Sequence, residues 1–159
     1  MQSELVSNSA DKSPIVSLYI PAMTITVDSY GCTLNVPNNV ALSTDVEQST
    51  TFNVTISQCG GTVTAFARFS DPDAQAATKN ALPNKGTAKG YELKLQTSGK
   101  APITFIPVGT TARTDEINLG SITATQTRTT SFSALLSRTS DEVRPGMLEF
   151  ATIVGISYR

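Results

Sequence analysis

Several residue types that usually carry chemistry are missing from this sequence. Its 159 residues include no histidine, no tryptophan and only two cysteines. Without histidine the chain lacks the most frequent general base and the most frequent metal ligand. Two cysteines with no histidine cannot complete a structural zinc site. These absences argue against an enzyme, and we expect neither a cofactor nor a metal.

Charge is also scarce. Charged residues make up 16% of the chain, and the formal net charge is -1. Such a chain has no electrostatic footprint for nucleic acid or an anionic membrane. No apolar run is long enough to cross a bilayer as a helix. The first residues have neither the basic nor the apolar stretch of a signal peptide, so we expect any export signal to have been removed.

Acidic residues are the remaining candidates for a site. Asp71 and Asp73 resemble part of a calcium loop, but the spacing and closing glutamate of an EF-hand are missing. The adjacent acid pairs at 115–116 and 141–142 could serve glycosidase chemistry only at a separation that the sequence does not fix. We interpret all of these residues as solvated turn residues.

Short alternating runs of apolar and polar residues are abundant, separated by Gly, Pro, Asn and Asp. This pattern predicts about eight short strands and hence a sandwich or barrel in one domain. The runs are 51–57, 62–69, 91–97, 102–108, 117–123, 131–136 and 148–158. A long polar connection at 70–89 separates the runs 62–69 and 91–97, and a helical turn is expected within it around 74–79.

Two apolar alternations near the N-terminus differ in phase. Val16, Leu18 and Ile20 fall on even positions, whereas the alternation within 23–27 falls on odd positions. Because side chains in a strand alternate with period two, the inward face changes at this point. A bulge could produce the change. Two strands hinged at Pro21 are a simpler explanation, the first forming a detachable arm.

The chain ends on one of its most regular strand patterns. Apolar residues dominate its even positions, namely Leu148, Phe150, Thr152, Val154, Ile156 and Tyr158. The odd positions hold further apolar residues, including Met147 and Ile153. A strand that is apolar on both faces is typical of the middle of a sheet. We therefore expect the C-terminal segment to be buried.

Cys32 and Cys59 allow two interpretations, a disulfide or two buried thiols. Both border strand-like segments, which favours the disulfide. Closing a loop of this size would contribute roughly 3–4 kcal/mol in the chain-entropy account. A disulfide would place the protein in an oxidising compartment.

The C-terminal segment carries a family resemblance. Gly146 is fourteenth from the end and Tyr158 is second from the end, with alternating apolar positions between them. This resembles the C-terminal signature of chaperone–usher pilins, the subunits of type 1 and P fimbriae. The stretch "FSALLSRTSDEVRPGMLEFATIVGISY" is similar to the family's closing strand pair, and "YELKLQTSGKAPITFIP" to its central hairpin. The resemblance covers residues 23–159.

The resemblance implies an all-β fold. In that family an incomplete immunoglobulin-like sandwich lacks its seventh strand and is completed by donor-strand complementation. Residues 1–22 would be an N-terminal extension that acts as a donor strand, and 23–159 the pilin domain. Cys32 and Cys59 would form the disulfide that joins the first two strands.

The resemblance also implies the site. The groove wall and chaperone-binding strand would comprise Gly146, Leu148, Phe150, Val154, Ile156, Tyr158 and Arg159, and the donor residues would be Val16, Leu18 and Ile20. A periplasmic chaperone would hold the terminal carboxylate of Arg159. Further partners would be an outer-membrane usher and neighbouring subunits in a head-to-tail polymer. The protein would reach the cell surface of a Gram-negative bacterium through the periplasm, as part of a fimbrium.

The function expected from this resemblance is that of a structural subunit, which polymerises by donor-strand exchange and contributes to cell adhesion. Two departures support an alternative. Residues 1–30 contain no glycine, which family donor arms usually carry, although Ala22 is a small residue nearby. The cysteine interval resembles that of the C-terminal pilin domain of tip adhesins. The alternative is such a domain or a receptor-binding minor subunit, with a host receptor as partner. A secreted sandwich of unrelated function is a third interpretation.

Overall fold

The computed structural model describes residues 16–20, 22–25, 31–46, 48–73, 78–110 and 113–159, and only the backbone of Val16 and of 22–25. These residues form thirteen β-strands and no helix, so none that could span a membrane. The strands are β1 (Val16–Tyr19), β2 (Ala22–Ile25), β3 (Thr33–Asn35), β4 (Asn39–Leu42), β5 (Ser49–Ser57), β6 (Val63–Asp71), β7 (Leu82–Pro83), β8 (Tyr91–Thr97), β9 (Phe105–Pro107), β10 (Ile117–Ile122), β11 (Arg128–Arg138), β12 (Glu149–Ala151) and β13 (Ile153–Tyr158).

Alternating residues decide which face of each strand is buried. In β5 the side chains of Phe52, Val54 and Ile56 are buried, whereas Asn53 between them is exposed. This is the pattern of a sheet with one face on a core and the other in water. The predicted all-β class is confirmed. The helical turn expected at 74–79 lies mostly outside the described residues, and Lys79 at its end forms a β-bridge with Phe105.

The first sheet has the strand order β3-β5-β11-β8-β7 and is antiparallel throughout. One sheet of an immunoglobulin sandwich carries its strands in the order A-B-E-D. Strands β3, β5, β11 and β8 hold those four places. Cross-strand partners Phe52 and Phe132 stack with ring centroids 5.7 Å apart, which fixes the register of the two central strands.

The second sheet has the order β10-β6-β13-β2, and β9 lies beside β6. Antiparallel β6 and β13 take the places of strands C and F. In a complete sandwich strand G lies beyond F. In this molecule β2, which precedes the first strand of the sandwich in the sequence, lies in that position.

The core lies between the two sheets. Phe69 of β6 meets Phe132 of β11 edge to face across the interior, with centroids 5.1 Å apart. The largest fully buried side chains also include Tyr158, Phe105 and Phe150. The last strand therefore supplies part of the core.

The strand in position A passes from one sheet to another midway along its length. Its first half, β3, pairs with β5, whereas its second half, β4, joins a separate three-stranded sheet in the order β12-β1-β4. Pro37 lies between the two halves and has no N–H to donate. The change of sheet leaves a slot between β4 and the start of the terminal strand, and β1 lies in this slot.

Candidate functional site

The slot between β4 and β12 is filled by the chain's own N-terminal segment. β1 runs parallel to β12, with Leu18 opposite Phe150, and antiparallel to β4, with Leu18 opposite Val40. After β1 the backbone N–H of Ile20 donates to the Asn38 carbonyl at 3.1 Å. Both edges of β1 are thus hydrogen-bonded, as in an interior strand.

The same segment continues along the last strand. β2 runs parallel to β13, from Ala22 opposite Val154 to Ile25 opposite Ser157. The other edge of β13 pairs with β6. The last strand thus lies in the interior of a sheet, as predicted, and its even face is buried, but its odd face is only partly buried and Met147 is exposed. Two separate strands, β1 and β2, account for the phase change.

The facing side chains of the slot are buried together. Leu18 and Ile20 are fully buried. The even positions of the last strand, namely Leu148, Phe150, Thr152, Val154, Ile156 and Tyr158, are all buried as well. Each large apolar side chain removed from water contributes roughly 1.5–3 kcal/mol before the cost of ordering. Leu18 and Ile20 together would contribute about 3–6 kcal/mol on this scale.

A buried threonine marks where the terminal strand passes from one sheet to the other. Thr152 separates β12 from β13. Its backbone N–H donates to the Tyr19 carbonyl at 3.0 Å, and its hydroxyl donates to the Ser70 carbonyl at 2.9 Å. The residue thus bonds to the N-terminal segment on one side and to β6 on the other. An apolar side chain here would leave the Ser70 carbonyl without this partner.

The start of the terminal strand is held by the segment 84–89. The Asn84 side chain donates to the carbonyls of Ala88 (2.7 Å) and Met147 (3.0 Å). Its carbonyl oxygen accepts from the backbone N–H groups of Gly86 (3.0 Å) and Glu149 (2.7 Å). One amide therefore fixes both the loop and the strand, a role that nothing in the sequence pattern indicated.

We expect Asn84→Ala to lower the free energy of unfolding by about 2–3 kcal/mol, because several backbone groups lose a partner at once. Chemical denaturation measures the change. Asn118→Ala is the matched control, since the Asn118 side chain accepts one hydrogen bond, from Gly120, at an exposed site. Equal effects of the two substitutions would contradict the role assigned to Asn84.

Gly146 lies outside the slot. It is exposed, and a Cβ atom there would lie 2.6 Å from the Ala88 nitrogen and from the Thr87 hydroxyl. Only a residue without a side chain lets this backbone approach the 84–89 segment so closely. The Thr87 hydroxyl accepts from the next N–H, that of Met147, at 2.9 Å. The close approach explains a glycine here without a direct role in the groove wall.

Tyr158, near the chain end, is fully buried. Its hydroxyl has no hydrogen-bond partner among the described residues. Burial raises the pKa of the Tyr158 phenol. A phenol that is harder to ionise in the folded state stabilises the fold fully below its unfolded pKa of about 10 and loses that contribution as the pH rises beyond it.

We expect Tyr158→Phe to leave the free energy of unfolding at neutral pH unchanged or to raise it by up to about 1 kcal/mol, since it removes an unpartnered buried hydroxyl. Above about pH 10 the variant should lose less stability than the parent. Urea unfolding at pH 7 and at pH 10.5 measures both effects. Tyr91→Phe, at a half-buried tyrosine, is the control and should keep the parent's alkaline loss.

The last residue is held by its backbone and by its side chain. The Arg159 N–H donates to the Thr64 carbonyl at 2.9 Å, and a main-chain oxygen of Arg159 accepts from the Thr64 N–H at 2.7 Å. The guanidinium donates to both carboxylate oxygens of Glu116 at 2.7 and 2.6 Å and lies 4.2 Å from the centre of the Phe66 ring. Arg159 therefore continues the pairing of β13 with β6 by one residue.

Two sequence interpretations are wrong. Asp71 is not solvated: it is fully buried and lies 3.4 Å from the Lys85 ammonium and 3.7 Å from that of Lys79. Glu116 is not solvated either, because its side chain is only 8% exposed. Both carboxylates find cations distant in sequence, which offset the cost of burial. Asp73 is exposed, as expected.

The structure brings most of the predicted site residues together. The disulfide Cys32–Cys59 is present and ties the start of β3 to the end of β5. Leu18 and Ile20 lie in the slot beside the buried face of the last strand, while the side chain of Val16 is outside the described residues. The roles of these residues as donor strand and groove wall remain predictions.

Comparisons with known proteins give similarity at the level of structure only. No family model matches the sequence, and no curated protein matches it. The P pilus rod subunit PapA is similar with a TM-score of 0.47 and 14% identity, over 70% of this chain and 79% of that chain. The CupB6 tip adhesin from Pseudomonas aeruginosa is similar with a TM-score of 0.49 and 15% identity, over 88% of this chain and 36% of that one.

The strand order is that of an immunoglobulin-like sandwich in which strands A to F are present. The position of strand G is occupied by β2, which precedes strand A in the sequence. The chain has an all-β, immunoglobulin-like sandwich, with residues 16–20 and 22–25 lying beside its last strand.

Proposed function

We propose that this protein is a structural subunit of a chaperone–usher fimbria, and that its N-terminal segment is the strand it donates. The observation that carries the proposal is the occupant of the slot. A segment that precedes the first body strand lies where the seventh strand of the sandwich belongs. Such a segment belongs to no hairpin of the sandwich, and for this reason it can be exchanged for another strand.

An empty slot would be unstable in water. It would expose the apolar face of the last strand together with two unpaired backbone edges. Addition of a strand repairs both defects, because its main chain pairs with the edges and its alternate side chains fill the pockets. The segment 16–25 meets these requirements within one chain.

Donation of the same segment to another copy would produce a filament. The slot and the segment are different surfaces, so a contact between two copies is head to tail. A heterologous contact that does not close into a ring gives an open polymer. In this proposal the chain enters the periplasm, is held by a chaperone at the slot, passes an outer-membrane usher and becomes part of a surface fimbrium.

The division into a donor segment, 1–22, and a body, 23–159, is part of the proposal. Support comes from the end of β1 at Tyr19 and the start of β2 at Ala22, on either side of position 21. Because β2 also lies beside the last strand, the exchanged segment could extend to Ile25.

A truncated chain that starts at Met23 tests the proposal. We expect it to bind the periplasmic chaperone but to donate no strand, so that no subunit is added after it. A labelled peptide of residues 1–25 should form a stable one-to-one complex with it, whereas the peptide carrying Leu18→Asp and Ile20→Asp should not. Size-exclusion chromatography measures complex formation. A truncated chain that is a stable monomer without peptide, or that still polymerises, would overturn the proposal.

A further inference from the structure

A cavity of about 350 Å³ lies on the outer side of the second sheet, away from the slot. Its floor is the odd face of β13, formed by Ile153, Gly155 and Ser157, and its wall is the segment 106–110 that follows β9. The volume is within the range of roughly 300–1,000 Å³ that is usual for small-molecule sites. Among the described lining residues, Ile156 is the one that also belongs to the buried face of the last strand.

Small residues create the space. Among the described residues, the single neighbour within 4 Å of a Cβ atom at Gly155 would be the Arg68 carbonyl oxygen, at 4.0 Å. Serines at positions 70 and 157 are the flanking side chains.

The walls of the cavity are aliphatic. Ile106, Pro107, Val108 and Ile153 line it, and Val108 is 50% exposed at its mouth. None of the described lining residues is aromatic. Sugar sites generally combine polar groups with an aromatic platform, whereas these walls suit a flexible aliphatic body.

The rim carries an excess of positive charge. Three arginines, Arg68, Arg113 and Arg159, line the cavity together with one acidic side chain, that of Glu116. Glu116 is already bound to Arg68 at 3.2 Å and to Arg159 at 2.6 Å. Arg113 is exposed and forms no ion pair with a described residue. A ligand with one negative charge would complement this rim.

We propose that the cavity binds a small aliphatic carboxylate. The apolar body lies along Ile106, Val108 and Ile153, and the carboxylate accepts hydrogen bonds from Arg113 at the mouth. Hydrogen bonds between guanidinium and carboxylate are charge-assisted and therefore favour an acid over a neutral molecule of the same shape. The proposal concerns mainly the odd face of the terminal strand, whereas strand donation concerns its even face.

Octanoate titrated into the full-length protein by isothermal calorimetry tests the proposal. We expect one binding site, and binding of octanol weaker by about tenfold or more because it lacks the charge. N-acetylneuraminate, which is anionic but hydrophilic, is expected to bind more weakly than octanoate. Absence of octanoate binding at millimolar concentration would overturn the proposal, as would equal binding of octanol or tighter binding of N-acetylneuraminate.

Variants locate the site. Gly155→Val fills the floor and is expected to abolish octanoate binding, and Arg113→Gln to weaken it about tenfold. Val108→Asp, at a half-exposed position, adds a repelling charge at the mouth and serves as a second blocking variant if Gly155→Val folds poorly. Lys94→Gln, on the exposed face of β8, should bind as the parent does. Parent-like binding by a folded Gly155→Val or by Val108→Asp would place octanoate elsewhere and refute the site.

Discussion

Replacing Leu18 and Ile20 by aspartate is expected to remove most of the stability of the folded monomer. The double variant loses two fully buried side chains, each contributing roughly 1.5–3 kcal/mol, and it brings two carboxylates to an apolar wall. We expect the free energy of unfolding to fall by about 5 kcal/mol or more, a large part of the 5–15 kcal/mol typical of a domain. Urea unfolding and size-exclusion chromatography measure the loss and the expected self-association.

Tyr19→Asp is the matched control for this variant. Tyr19 lies on the same strand but on its other face and is only half-buried. The same charge at that position should cost about 1 kcal/mol, as is usual for substitutions away from a packed core. If the double variant stayed monomeric and unfolded within about 1 kcal/mol of the parent, β1 would not be what fills the slot.

Addition of a native peptide to this variant tests whether its instability comes from the unfilled slot or from damage to the rest of the sandwich. A peptide of residues 13–25 with the native sequence should restore a monomeric, cooperatively unfolding protein, since it supplies the missing strand. Mass action makes this stabilisation increase with peptide concentration. Failure of any concentration of peptide to restore the monomer would show that the aspartates disrupt the body of the sandwich.

The strands themselves could be predicted because their alternation is long and regular. The runs at 51–57 and 148–158 show the period of two clearly, and both became strands with the expected buried face. The change of phase near Pro21 correctly indicated two strands, because a strand cannot change its inward face without a break. The two cysteines were correctly interpreted as a disulfide.

The direction of the N-terminal segment could not be predicted. An alternating pattern states which residues face the core, but it is the same when read in either direction. Leu18 and Ile20 would be buried whether β1 ran parallel or antiparallel to β12. The parallel arrangement is a pairing between segments more than 100 residues apart in sequence, which a local alternation does not encode.

The buried charges were missed for a related reason. Glu116 is stabilised by Arg68 and Arg159, which are 48 and 43 residues away in sequence. Asp71 likewise depends on Lys79 and Lys85, across a loop. Acid pairs beside turn residues are solvated by default. No local sequence pattern distinguishes a solvated carboxylate from a buried one whose cationic partners lie elsewhere in the sequence.

A second large effect is expected at Phe150, the partner of Leu18 in the parallel register. Phe150 is fully buried, so Phe150→Ala should lower the free energy of unfolding by about 3–5 kcal/mol through lost burial and the cavity left behind. Leu18→Ala should cost about 2–5 kcal/mol for the same reason. If the two side chains share one packed site, the double variant should cost less than the sum.

The double-mutant cycle decides whether the contact exists in solution. Residues in contact show interaction energies of about 0.5–3 kcal/mol, whereas distant pairs add within about 0.3–0.5 kcal/mol. The control cycle pairs Leu18 with Ile122. Ile122 lies opposite Val63, at one end of β6, whereas Ser70, near the slot, lies at the other end. Val63 and Ser70 are roughly 23 Å apart along the strand at 3.3 Å per residue. Additive effects for Leu18 and Phe150 would mean that β1 leaves the slot. Coupling of Leu18 with Phe150 but not with Ile122 would mean that the N-terminal segment packs in the slot as a strand of the sandwich.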